Sequence, residues 1–165
     1  MNKISFELKP FSYFVKNYFS LKENSNFFSD RSRLKMINST LNGESMTCCA
    51  FDGKKIVGFC VFDEFKKDHD FLLLENIEVD LEYRNNGIAK RMLEEQFKYI
   101  ASCRKGVISS MFSRDGLKYI KHKLSSLSDF YGIRYFESEL DYNYNTNCNT
   151  TFKKEHCFVR GFFAF

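Results

Sequence analysis

The sequence predicts an α/β (α+β) domain, a single unit over residues 1–165, with elements in the order β-α-α-β-β-β-α-β-α-β-β. Three observations carry this. Apolar residues recur alternately with a period of two and a period of about 3.6, so strands and helices interleave. Two apolar runs, Met46 to Phe51 and Ile56 to Phe62, flank Asp52-Gly53, the composition of a tight hairpin turn. A third apolar run, Phe71 to Val79, passes through a short polar turn into an amphipathic stretch from Gly87 to Ile100.

Taken in order, Ile4 to Leu8 alternates as a first strand, stopped at Pro10. Phe11 to Leu21 has helical spacing at Phe11, Phe14, Val15, Tyr18 and Phe19. Ser29 or Asp30 can cap a second helix that runs to about Leu41, with Leu34 and Ile37 inward. The hairpin follows, then a charged loop from Asp63 to Asp70 and the strand Phe71 to Val79. The helix Gly87 to Ile100 carries its apolar face on Ile88, Met92, Leu93, Phe97 and Ile100. Gly106 precedes a fifth strand, Val107 to Phe112. Asp115 to Tyr131 reads as a helix ended by Gly132. Ile133 to Leu140 and Cys157 to Phe165 read as a final strand pair, joined by an Asn-rich loop from Asp141 to Glu155.

A chain of 165 residues can bury a substantial core, and with Phe 20, Tyr 9 and no Trp that core is built on rings. The net charge of +4 suits an anionic ligand. Its basic residues form no long cluster, and pairs such as Lys54-Lys55 read as solvated turns, which argues against nucleic acid as a partner. The six cysteines show no C-x-x-C spacing, so no metal site is expected and reduced, buried thiols are. The N-terminus lacks the apolar run of a signal peptide, and no stretch approaches a membrane span. A soluble, cytoplasmic protein with no membrane partner is the expectation.

The segment with most chemical content is Glu75 to Tyr99, E-N-I-E-V-D-L-E-Y-R-N-N-G-I-A-K-R-M-L-E-E-Q-F-K-Y. A strand that turns abruptly into a helix leaves the first-turn N–H groups without intrahelical partners, at the positive end of the helix dipole. That is a cradle for a diphosphate. Gly87 lets a ligand approach the backbone closely, and Ala89 keeps the next turn low. No G-x-x-x-x-G-K-[ST] occurs, and no G-x-G-x-x-G follows a strand.

This stretch resembles the acyl-CoA motif of the GNAT superfamily of N-acyltransferases, a strand ending in V-x-x-x-x-[QR]-x-x-G-x-[GA] before a helix. It stands here as Val79, Arg84, Gly87 and Ala89, without insertion or deletion. The resemblance implies a mixed, mostly antiparallel central sheet of about six to seven strands flanked by helices, with acyl-CoA in a wedge between strands 4 and 5. It further implies that Ile77 and Val79 pair with the pantetheine arm and that the amides of Arg84, Asn85, Asn86, Gly87, Ile88 and Ala89 hold the diphosphate. Acetyl-CoA is then the cosubstrate, and the acceptor is an amine of a small molecule or of a protein. A homodimer through the final strand pair is compatible with it, as is an aminoacyl-tRNA-acetylating toxin of the same superfamily.

Acetyl transfer to an amine requires that the amine lose a proton, that an oxyanion be stabilised and that a thiolate leave. Glu75 is the candidate base; strand alternation places it on the face of Ile77 and Val79, although the commonest family position corresponds to Leu73. The family acid is a tyrosine in N-x-x-A-x-x-x-Y-x-x-x-G-F. Here Ser128 occupies that position, four before Gly132, and Tyr131 is the nearest candidate acid. Direct attack by the amine in a ternary complex is favoured, because no cysteine has a histidine suitably placed. The alternative is a non-catalytic acyl-CoA-binding regulatory module that kept the turn and lost the acid.

Overall fold

The computed structural model describes residues 3–18, 45–109 and 114–147, the side chains of 114–118 and 147 excepted. Among these, six strands form one sheet in the order β1-β2-β3-β4-β5-β6. They are β1 (Ser5–Pro10), β2 (Met46–Asp52), β3 (Lys55–Glu64), β4 (Phe71–Val79), β5 (Gly106–Ser109) and β6 (Tyr135–Phe136). Pairings from β1 to β4 are antiparallel, and β4–β5 and β5–β6 are parallel. The helices are α1 (Phe11–Asn17), α2 (Ile88–Ser102), α3 (Arg114–Tyr131) and α4 (Glu139–Asn147). The sheet is mixed, as expected.

Most predicted elements stand where periodicity puts them, and β4 has the predicted bounds. β1 reaches Pro10 instead of stopping before it, because this is an edge strand and the missing proline N–H is tolerated at its last rung, opposite Met46. The hairpin turns at Gly53-Lys54, with Gly53 at φ 62° and Asp52 opposite Lys55. The expected second helix between Ser29 and Leu41 lies outside the described residues, and so does the strand Cys157 to Phe165.

The final strand pair needs correcting. Only Tyr135–Phe136 of Ile133 to Leu140 is strand, and Glu139–Asn147 is a helix where the sequence suggests the end of a strand and a loop. The reason is a helix start in Ser138-Glu139-Leu140-Asp141. The Asp141 N–H donates to Ser138 Oγ at 3.1 Å, and Asp141 Oδ2 accepts from the Glu137 N–H at 3.1 Å. Tyr142 then seats α4 against the rings of Phe65, Phe71 and Phe136, with centroids 5.1–5.4 Å apart.

Two layers cover the sheet. On one face, α2 and α3 pack on Cys48, Ala50, Cys60, Phe62, Leu72, Leu74 and Val107. The predicted apolar face of α2 is buried throughout, and Met92, Leu93, Phe97 and Ile100 are wholly so. Each such side chain contributes about 1.5–3 kcal/mol relative to exposure. Gln96 shares that face, although its polarity suggests a solvated position. It is fully buried, and its Nε2 donates to Met46 O at 3.0 Å and Cys60 O at 2.9 Å, pinning α2 to β2 and β3. On the opposite face, Phe11 and Phe14 of α1 cover Cys49, Phe51, Phe59 and Val61. Adjacent Cys48 and Cys49 therefore enter different cores, and burial pushes the Cys48 thiol up to about 12. Cys103, by contrast, is exposed. No helix among the described residues is long and apolar enough to cross a membrane.

Candidate acyl-CoA site

The turn between β4 and α2 is tightly built. Asp80 receives the Glu82 N–H on Oδ1 at 3.3 Å and starts a 3-10 turn over Leu81–Tyr83. Arg84 folds back so that Nε donates to Val79 O at 2.9 Å. Asn86 Nδ2 donates to the carbonyls of Tyr83 at 3.2 Å and Arg84 at 3.1 Å. Asn85 and Gly87 both take the left-handed conformation, at φ 63° and 72°. Gly87 is the N-cap of α2 and offers no side-chain cap, so the first-turn N–H groups are left for a ligand. A Cβ on Gly87 would meet nothing within 4 Å, which makes the space beside the turn open. Lys90 and Arg91 are exposed on the first turn of α2, beside exposed Arg84. Anion-binding amides, helix dipole and cations thus coincide.

A polar clamp ties this turn to the β2–β3 hairpin. The Tyr83 hydroxyl donates to Asp52 Oδ2 at 2.9 Å, Lys55 Nζ meets Asp80 Oδ2 at 3.1 Å, and the Lys55 ammonium lies 5.2 Å from the Tyr83 ring centroid. The bond to Asp52 raises the Tyr83 phenol above its usual range, and the bond to Asp80 raises Lys55. Asp52 Oδ1 is buried without a hydrogen-bond partner among the described residues, so the carboxylate depends on Tyr83. Tyr83→Phe is expected to lower stability by about 1 kcal/mol and to weaken acetyl-CoA binding a few-fold through a loosened turn. Urea unfolding and a binding titration check both; a variant unchanged in each would leave the clamp without a role.

β4 carries a bulge. Val61 pairs with Asn76 and Phe62 with Leu74, so Glu75 is the extra residue. This breaks the alternation expected across Glu75. Leu74 on one side of it and Ile77 and Val79 on the other all pack toward the α2 face. Asn76 and Glu78 stand on rungs with Val61 and Phe59, which belong to the α1 face. Glu75 itself is exposed. Nothing in the sequence announces such a bulge, because an inserted residue alters pairing and not composition.

β3 pairs with β4 as far as Val79, and β4–β5 pairing is described as far as Leu74 opposite Ser109, after which residues 110–113 lie outside the described residues. Ile77, Val79 and residues Arg84 to Ala89 therefore lie in succession at one end of the sheet. Glu75 lies about 13 Å from Val79 at the usual strand rise. Tyr131 is not brought to it. It ends α3 just before β6, whose Tyr135 stands opposite Val107, itself opposite Leu72, so Tyr131 lies toward the start of β4. Ser128, at the family's tyrosine position, is buried and its Oγ has no hydrogen-bond partner among the described residues.

Two hydroxyls that sequence reasoning does not single out meet between β5 and β6. Ser109 is fully buried; its Oγ donates to Glu137 O at 2.7 Å and lies 3.2 Å from the Tyr135 hydroxyl. Burial pushes the Tyr135 phenol up to about 12. Only the fold joins β5 to β6, so no local motif pairs these residues.

The model of the Acetyltransferase (GNAT) family matches residues 12–113. No curated protein matches the chain in sequence. Among solved structures, Escherichia coli ElaA is similar with a TM-score of 0.56 at 11% identity, covering 73% of this chain and 86% of that one. The ribosomal-protein-S18-alanine N-acetyltransferase of Escherichia coli is similar with a TM-score of 0.52 at 14% identity, covering 76% of each chain. A streptothricin acetyltransferase of Bacillus anthracis in complex with acetyl coenzyme A gives a TM-score of 0.43 at 20% identity, covering 48% of this chain; the chain spans about half of its length (46%). At these identities the likeness is one of fold.

Proposed function

We propose that the chain, which belongs to the acetyltransferase (GNAT) family, moves an acetyl group from acetyl-CoA to a primary amine by direct attack in a ternary complex. The observation that carries this reading is the uncapped start of α2 behind Gly87, open to solvent and flanked by Arg84, Lys90 and Arg91. The amides of Arg84 to Ala89 would hold the diphosphate, and the three cations would add charge-assisted contacts. The backbone of Ile77 and Val79 would pair with the pantetheine arm in the manner of an added strand. Glu75, set outward by the bulge, would take the amine proton directly or through water. The nitrogen lone pair then forms the N–C bond, and the C–S bond breaks with its electron pair passing to sulfur.

The test begins with the thermal midpoint, with and without millimolar acetyl-CoA and with NAD as control. Ligand at a hundred times its Kd adds about 2.7 kcal/mol, which is roughly 5–10 °C for a chain of this size. No shift would overturn the reading. With a shift in hand, thiol release is followed with spermidine, kanamycin and a peptide with an N-terminal alanine, which sample small-molecule and protein amines. Stabilisation without thiol release from any amine would favour the non-catalytic acyl-CoA-binding module, which the serine at position 128 motivates.

A further inference from the structure

We infer that the acceptor is a short aliphatic diamine and that Asp63 of β3 selects it by holding the ammonium that does not react. The inference rests on the acetyl-transfer reading above and names the substrate class of the same site.

Asp63 is 6% exposed, and no Lys, Arg or His among the described residues forms an ion pair with it. A carboxylate buried to this extent is ordinarily matched by a cation. Its two hydrogen bonds come from neutral donors and end on one oxygen: Oδ1 accepts from Ser45 Oγ at 2.5 Å and from the Glu64 N–H at 2.9 Å. An asparagine would serve both, so these bonds account for the position of the side chain and not for its charge. The cations at this end of β3, His69 and Lys105, lie 3.1 and 3.6 Å from Glu64 instead, the next residue and so on the other face.

The ladder fixes the face on which Asp63 stands. Val61 packs in the cluster under α1 and Phe62 in the cluster under α2, so alternation returns Asp63 to the α1 face. The bond from Ser45 agrees, since Ser45 precedes Met46, the partner of Phe62. On β4 the partner of Asp63 is Leu73, and Leu74 packs toward α2. Counted from Leu74, Glu75 turns to the α1 face, one diagonal step from Asp63, a separation of about 7–8 Å. The buried carboxylate and the proposed base thus share one face on adjacent strands. A monoamine at Glu75 leaves Asp63 unmatched, whereas a diamine that spans the step puts one nitrogen at each. The nitrogen at Glu75 loses its proton to that carboxylate or to water, its lone pair forms the N–C bond, and the C–S pair leaves on sulfur. The nitrogen at Asp63 stays protonated throughout and gives a charge-assisted hydrogen bond. The apolar surroundings sharpen the demand for charge there: Val61 is wholly buried, and Leu73 packs on the cluster of Phe71, Ile108 and Tyr142.

The acetyl-CoA reading is judged first, by the midpoint shift described above, which involves no amine. Thiol release is then compared for 1,4-diaminobutane and pentylamine, which differ only in a methyl group where the diamine has its second ammonium. The wild-type protein is expected to favour the diamine by about ten- to a hundredfold in kcat/KM, the worth of one hydrogen bond to a charged group. Asp63→Asn keeps an acceptor for Ser45 and should bring that ratio close to one in a protein still stabilised by acetyl-CoA. A merely structural Asp63 would lower both rates and leave the ratio standing. Asp63→Glu serves if the asparagine variant does not fold: its carboxylate reaches one methylene further and should move the preference toward 1,3-diaminopropane. Three results would overturn the inference and leave acetyl-CoA binding intact. They are no thiol release from the diamine, no preference for it over pentylamine, and a preference that survives Asp63→Asn or is unmoved in Asp63→Glu. No stabilisation by acetyl-CoA would remove both the inference and the reading beneath it.

Discussion

Gly87→Glu abolishes the stabilisation by acetyl-CoA while costing the free protein little more than Gly87→Ala does. Both substitutions place an L side chain at φ 72°, a left-handed conformation that costs about 1–2 kcal/mol. Neither meets a steric obstacle, since the added Cβ has nothing within 4 Å. A carboxylate at the start of α2 even returns about 0.3–1 kcal/mol through the helix dipole. The free Glu variant should therefore melt no lower than the Ala variant. In the complex the sign reverses. A carboxylate about 4 Å from a phosphate charge costs about 4 kcal/mol at an effective dielectric near 20, several hundred-fold in affinity. Gly87→Lys separates charge from bulk, because it carries the same strain and a side chain at least as long. It should keep a measurable acetyl-CoA shift where Gly87→Glu shows none. Wild-type stabilisation in Gly87→Glu would mean that the diphosphate does not sit on this turn.

The contrast between what sequence predicts and what it misses follows from the range of the interactions. The turn from Asp80 to Ala89 and the buried face of α2 are readable because both are local: a left-handed glycine, a helix start, a period of about 3.6 residues. The hairpin at Gly53 is readable for the same reason. The surroundings of Glu75 and Ser109 are not. Glu75 looks like a strand residue in phase with Ile77, and only the partners Val61 and Phe62 reveal that it is extra. Ser109 and Tyr135 are 26 residues apart in sequence and meet through parallel pairing across a crossover. Tyr131 attracts attention because it neighbours Gly132, yet proximity in sequence to a helix end says nothing of the sheet level that end reaches. The helix over Glu139–Asn147 is a different kind of miss. Its cap, Ser138 with Asp141, is local and visible, but the apolar pattern of the preceding strand runs on through it.

Gly106→Ala is expected to cost about 3 kcal/mol, the upper end for forcing a group into a packed core, and to lower the thermal midpoint by roughly 6–12 °C. A Cβ on Gly106 would crowd Cε1 and Cδ1 of the Phe71 ring well inside van der Waals contact. The ring cannot step aside. It is 1% exposed, its centroid lies 5.4 Å from that of Phe136 and 5.3 Å from that of Tyr142, and the Arg134 guanidinium sits 4.6 Å from it. The backbone is equally committed, since Gly106 stands opposite Phe71 on the first rung between β4 and β5 and its N–H donates to Asp70 O at 2.8 Å. A methyl group there must displace the aromatic cluster or separate the strands at the rung where their pairing begins. Phe71→Leu opens that space, so in a double-mutant cycle the alanine should cost far less in the Phe71→Leu background, with a coupling of about 2 kcal/mol. Additive effects, or a Gly106→Ala variant within about 0.5 kcal/mol of wild type, would show that the strand ends move freely. Because this rung is at the opposite end of the sheet from Gly87, the folded variant should still gain its full increment from acetyl-CoA. Loss of that increment would mean that the first rungs between β4 and β5 bear on acetyl-CoA binding as well as on the stability of the sheet.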